Sequence, residues 1–144
     1  IALMFLVFRL YKPAGTLVVY YGREKMTTLI NRYVKVMADY GCEGLWDLEG
    51  CPLTEEEIQA LGLDAFILNR LKKWANWYEA NDDWSEESEL NFDYEGFAKE
   101  GKAIAIEIKK RLPDYAIWYF DEWACQRDLG LSVALGTYSY EIKL

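Results

Sequence analysis

Apolar and polar positions recur along this chain with periods that predict its elements in turn. From Arg32 to Ala38 the residues are β-prone, and Tyr33, Val34, Val36 and Met37 supply the apolar content of an expected core strand. Thr54-Glu55-Glu56-Glu57 has the spacing of a capping box, in which the Thr hydroxyl takes an orphan helix N–H and Glu57 reaches back to the cap. That helix is expected to be short, because Gly62 interrupts it. A second helix after Asp64 would set Ile67, Leu71, Trp74 and Tyr78 on one face. The clearest period follows: Phe97, Gly101, Ile104, Ile108 and Leu112 share a helical face bordered by Ala98 and Ala105, and Pro113 stops it. Lys109, Lys110 and Arg111 fall in its last turn, where the helix dipole favours cations. Gly101 on the buried face predicts the close approach of another element, at a helix-propensity cost of ~1 kcal/mol. "YAIWYF", residues 115–120, then reads as a strand.

With helices between them, the strands at 32–38 and 115–121 are expected to lie parallel in one sheet through a right-handed crossover. The fold class is α+β, or a small α/β two-layer unit, with a β-α-α-β core. Residues 26–123 form the expected core domain. Residues 1–25 read as an N-terminal extension, a β-hairpin about Lys12-Pro13-Ala14-Gly15 or sequence foreign to the unit. Residues 124–144 read as a C-terminal extension that adds one or two strands, with Gly136 as a turn or bulge. "IALMFLVF" is apolar but ends at Arg9, far short of the roughly 20 residues of a membrane span, so no membrane partner is expected.

Charge changes this picture from a fold to a kind of surface. The net charge is −8, but residues 26–123 hold ten Lys or Arg against twenty-one Asp or Glu, while residues 1–25 carry a net +3 and the last segment none. Such a middle segment repels phosphate backbones and attracts basic proteins, so direct nucleic-acid binding is not expected. Aromatic residues make up 16% of the chain, with eleven Tyr and six Trp, more than a core this size comfortably hides. The surplus suits a binding patch. Histidine is absent, which removes the commonest general base and the commonest metal ligand. Three cysteines without paired spacing fit a reducing cytoplasm.

Two loops are candidates for function. Asp39, Tyr40, Cys42, Trp46, Asp47 and Glu49 follow directly on the first core strand, where ligands tend to sit in parallel sheets. The plainer reading of that loop is a turn in which Leu45 and Trp46 plug the core and the acids are solvated. Cys42 is a poor nucleophile beside Glu43, since acidic neighbours raise a thiol's pKa. The second loop, "NDDWSEESELN", sets Asp82, Asp83, Glu86, Glu87 and Glu89 around Trp84, an anchor ring with a charged rim. Its plainer reading is a solvated connector. No metal spacing and no cofactor motif is present, and no catalytic residue is assigned.

The order "VKVMADYGCEGLWDLEG", "LNRLKKWANWYEAN" and "FDYEGFAKEGKAIAIEIKKRLPDYAIWYFDE" resembles a family of small, mostly uncharacterised bacterial cytoplasmic proteins. Trp74 and Tyr78 match its paired rings, and Glu95-Gly96 through Leu112-Pro113-Asp114-Tyr115 match its helix-strand finish. In style, small, acidic and rich in Trp and Tyr, that family is similar to immunity proteins that neutralise bacterial toxins. The acidic, ring-studded middle segment and that likeness of style together point to a non-catalytic binding protein that occludes a basic toxin or nuclease. The contacts expected from the two loops are Asp82, Asp83, Trp84, Glu86, Glu87, Glu89, Asp39, Tyr40, Trp46 and Asp47. The alternatives are a small-molecule-binding protein or enzyme with its site at residues 39–49, and a structural homodimer that buries the surplus rings.

Overall fold

A computed structural model describes residues 32–81, 91–128 and 136–144. The expected hairpin at 1–25 and the acidic loop with Asp82, Asp83, Trp84, Glu86, Glu87 and Glu89 lie outside the described residues. The fold is α+β. Its elements run β1 (Tyr33–Val36), β2 (Leu45–Trp46), α1 (Glu55–Ala60), α2 (Ala65–Glu79), α3 (Tyr94–Arg111), β3 (Ala116–Phe120), α4 (Glu122–Arg127) and β4 (Ser139–Glu141).

The described strands form one sheet in the order β2-β1-β3-β4. The two expected core strands are central and parallel, with Tyr33 opposite Ala116 and Val36 opposite Tyr119. Both flanks are antiparallel. Lys35 pairs with Trp46 on one side and Tyr119 with Tyr140 on the other. The period of two divides each central strand cleanly: Val34, Val36, Ile117 and Tyr119 are fully buried beneath the helices, whereas Tyr33, Lys35, Trp118 and Phe120 are half-buried on the opposite face. On that second face the Lys35 ammonium stands 5.4 Å from the Phe120 ring centroid.

Each helix starts where local chemistry satisfies its first N–H groups. The box at α1 is complete, with the Glu57 N–H donating to Thr54 Oγ1 at 3.3 Å and the Thr54 N–H to Glu57 Oε2 at 2.8 Å. Asp64 caps α2 by accepting from the Ile67 N–H at 2.9 Å, and its other oxygen accepts from Arg111 Nε at 2.8 Å. Asp93 caps α3 through the Gly96 N–H. At the far end of α3, Lys109 Nζ donates to the carbonyls of Pro113 and Tyr115, which ties the helix to the turn entering β3.

The core closes where α2 crosses α3. Trp74 and Phe97 are fully buried, and their rings stack 4.7 Å apart. Trp74 Nε1 donates to the Phe97 carbonyl at 3.0 Å, and the Tyr119 hydroxyl donates to the Ala98 carbonyl at 2.8 Å. Both large rings reach α3 only because Gly101 has no side chain. A Cβ there would lie 2.5 Å from Trp74 Cζ2 and 2.9 Å from Tyr119 Cε2. Three features depart from the expected pattern: Leu45–Trp46 is a short edge strand, a helix follows β3 at once, and Ile142 beyond β4 is buried in the core. Among the described residues no helix is long and apolar enough to cross a membrane.

Candidate partner-binding surface

Because β1 and β3 are parallel, the chain leaves both at the same end of the sheet, and the turns that follow them meet there. After β1 the backbone turns through Asp39-Tyr40-Gly41, with Gly41 at φ +73°, a left-handed conformation that favours glycine. Asp39 Oδ1 accepts from the Tyr40 N–H at 2.8 Å. The Tyr40 ring lies 5.0 Å from that of Tyr78, and its hydroxyl donates to the Asn81 carbonyl at 3.1 Å. The Gly41 N–H donates to Glu79 Oε1 at 2.9 Å. Tyr78, Glu79 and Asn81 all belong to the end of α2, so this turn is fastened to the helix by two hydrogen bonds and a ring contact.

After β3, Asp121 caps α4 by accepting from the Ala124 N–H at 2.9 Å. Glu122 follows, and only 9% of it is exposed. No hydrogen bond or ion pair from a described residue reaches its carboxylate, yet among the described residues no side-chain oxygen is sealed from solvent without a partner. The Glu122 carboxylate therefore keeps a small contact with solvent. Burial, then the charges of Asp39 and Asp121, push its pKa up to about 7. Tyr78 is raised well above its ordinary value by burial and by the nearby charge of Glu122, and Tyr119 by burial and then chiefly by Asp121.

Charge is divided between the two ends of the sheet. At the entry end, Arg32 pairs with Asp114, and Arg111 pairs with both Asp64 and Glu107. At the exit end, Asp39, Glu43, Glu79, Asp121 and Glu122 make no ion pair with a described cation. Beside them a cleft of about 460 Å³ opens between the 41–43 turn, the 52–54 segment and α2, lined by Cys42, Glu43, Leu53, Asn76 and Glu79 among others. The Cys42 thiol donates to the Asp39 carbonyl, and burial together with the charges of Asp39 and Glu79 raises its pKa, which disfavours the thiolate. No group of three or more described His, Cys, Asp or Glu residues is arranged to hold a metal ion.

Of the residues singled out in the sequence, Asp39 and Tyr40 stand together at this end, both exposed. Trp46 and Asp47 do not join them. Trp46 pairs across β1 with Lys35, and its indole Nε1 donates to the Met37 carbonyl at 2.7 Å. Asp47 heads a tight turn, its N–H donating to the Cys51 carbonyl and its Oδ1 accepting from the Cys51 N–H. It faces towards Tyr33, at the entry side of β1. Glu79, Asp121, Glu122 and Tyr78 were not foreseen as a surface. Asp121 alone carried a local signal, as an N-cap before a helix.

No curated protein and no solved structure matches the chain. Residues 32–122 match a protein family described as Serratia CdiI immunity protein-like, a span that begins at β1 and ends at Glu122. It contains both turns of the acidic end and the helix that joins them. By that match over more than half its length, the chain belongs to the Serratia CdiI immunity protein-like family.

Proposed function

We propose that this chain is an immunity-type inhibitor that occludes a basic bacterial toxin, and that the exit end of the parallel strands is the surface with which it does so. The observation that carries the reading is the set of five carboxylates there, Asp39, Glu43, Glu79, Asp121 and Glu122, left without a described cation, while at the entry end Arg32 and Arg111 are paired with acids. Unpaired surface acids speed encounter with a basic partner and set its orientation. Tyr40, exposed beside them, supplies an amphipathic ring for the partner to cover. The stretch that holds Asp82, Asp83, Trp84, Glu86, Glu87 and Glu89 follows Asn81 in the sequence, and its acids and its ring are counted among the contacts in our reading. No bond is made or broken; inhibition is by occupancy. A toxin that is a nuclease fits best, because its cleft presents Lys and Arg to phosphates and acids can take their place.

The test is protection. Cells that express a cognate toxin should survive only when the chain is co-expressed. Reversing Glu86, Glu87 and Glu89 together to Lys should slow association at least about ten-fold while the melting temperature stays nearly unchanged. If that variant binds as fast as the parent, the stretch is a connector and takes no part in the contact.

A further inference from the structure

The two edges of the sheet are finished differently. Beyond β2 the chain doubles back: the Leu53 N–H donates to the Leu45 carbonyl, the Asp47 N–H donates to the Cys51 carbonyl, and Pro52, which has no N–H to offer a further strand, bridges to Trp46. That edge is closed. Beyond β4 no further strand stands among the described residues. The Ile142 N–H donates to the Ile117 carbonyl, and the Tyr138 carbonyl accepts from the Asp121 N–H, so Tyr138, Tyr140 and Ile142 turn their backbone groups towards β3. Glu141 and Lys143 therefore turn theirs outward, and no described hydrogen bond meets them there. An edge left open in this way is a template for another strand. The side chains alternate as well. Glu141 and Lys143 share one face, their charged groups 3.7 Å apart. Tyr140 and Ile142 take the other, the Tyr140 ring 5.8 Å from that of Tyr119 and Ile142 buried in the core, and beyond them Leu144 is 73% exposed.

We infer that this edge docks antiparallel on the same edge of a second copy of the chain, about a two-fold axis at Ile142, and joins the two four-stranded sheets into one. Self-complementary charge chooses both the occupant and the register. With the axis at Ile142, Glu141 lies opposite Lys143 of the second copy and Lys143 opposite its Glu141, so each charged pair occurs twice. These are also the residues whose backbone groups point outward, and each such pair exchanges both of its N–H···O=C bonds. On the other face Ile142 meets its own counterpart, and the exposed Leu144 comes opposite the half-buried Tyr140 of the second copy. An axis at Glu141 or at Lys143 would instead set like charges against each other. The two-fold reverses the strand direction, so the acidic exit ends of the two copies point in opposite directions and stay uncovered. A contact of this length is smaller than a standard stable interface, and a dissociation constant on the order of 10–100 μM is expected.

The experiment is sedimentation equilibrium of the full chain at concentrations from about 10 μM to about 1 mM, spanning the expected dissociation constant. The parent should pass from monomer to dimer over that range. Glu141→Lys and Lys143→Glu, made singly, each set like charges across the axis twice and should weaken the dimer at least about ten-fold. The double variant Glu141→Lys, Lys143→Glu restores opposite charges at every pair and should recover the parent's association. Both side chains lie outside the core, and the pair they form within one chain is exposed, so the melting temperature should hardly move in any variant. A parent that stays monomeric throughout, a dimer that both single variants leave unchanged, or a double variant no better than the singles overturns the edge pairing. None of these outcomes touches the inhibitor reading, which fails separately if the parent chain gives no protection against a cognate toxin.

Discussion

Glu122 is a carboxyl group that the fold buries at a cost. Its ordinary pKa of 4.5 is raised to about 7 on folding, by burial and then by Asp39 and Asp121. The native state thus holds this proton more tightly than the unfolded chain does. The resulting stability is fully present below about pH 4.5 and is lost as pH rises through 7. The rise from 4.5 to about 7 corresponds to roughly 3 kcal/mol. Glu122→Gln should accordingly stabilise the protein at pH 8 by up to about that amount and give little at pH 4, as read by urea unfolding at the two pH values. An equal effect at both would mean that the charge of Glu122 is not what burdens the fold. A group that weakens its own domain at neutral pH is of the kind found at functional sites.

At the scale of elements, the α2–α3 crossing decides whether the surface has a rigid base. Gly101 lets Trp74 and Tyr119 reach the carbonyls of Phe97 and Ala98, so both rings have their polar atoms satisfied inside the core. Alanine at this position improves helix propensity by up to ~1 kcal/mol. It also drives a methyl group to within 2.5 Å of Trp74, and the crowding should win. Gly101→Ala is expected to lose about 1–3 kcal/mol net in urea unfolding, with the Trp74 environment visibly altered in near-ultraviolet circular dichroism. A gain in stability would show that the crossing is looser than described. This glycine was readable in the sequence, because its neighbours at Phe97, Ile104 and Ile108 repeat with the helical period.

The same contrast explains what else could be read and what could not. The helices α1, α2 and α3 announce themselves through caps and faces that lie within a few residues of one another, and the central strands through β-prone runs. The edge strand β2 is two residues long and exists only because Lys35 and Val36 offer it a ladder. Helix α4 is too short for a period to show, whereas a strand in the last segment was expected and is β4, paired to β3. The proposed surface follows this pattern. The position of Asp39 and Tyr40 beyond the end of β1 was legible, since the turn after a parallel strand is a recurrent ligand position. Trp46 and Asp47, their neighbours in sequence, are turned to structural work by a β-ladder and a tight turn. Glu122 could not be found from its surroundings in the chain, because what makes it unusual is first its burial and then the charge of Asp39, distant in sequence and brought near by folding.

For the whole molecule, the division of charge between the ends of the sheet matters more than the total of −8. Arg32, Lys110 and Arg111 are held by acids at the entry end, so their fields are largely cancelled locally. The exit end keeps its negative field, which reaches a Debye length of ~8 Å into physiological salt. An approaching basic protein would be turned to meet that end first, and membership of an immunity protein-like family is consistent with such a design. The most direct test is the association rate with the neutralised toxin, measured by stopped-flow over a range of ionic strength for the parent chain and for the double variant Asp39→Lys, Glu43→Lys. The account predicts a rate that falls steeply as salt rises in the parent and that is at least about ten-fold lower, with a shallower salt dependence, in the variant. Equal rates and equal slopes for the two proteins would contradict it.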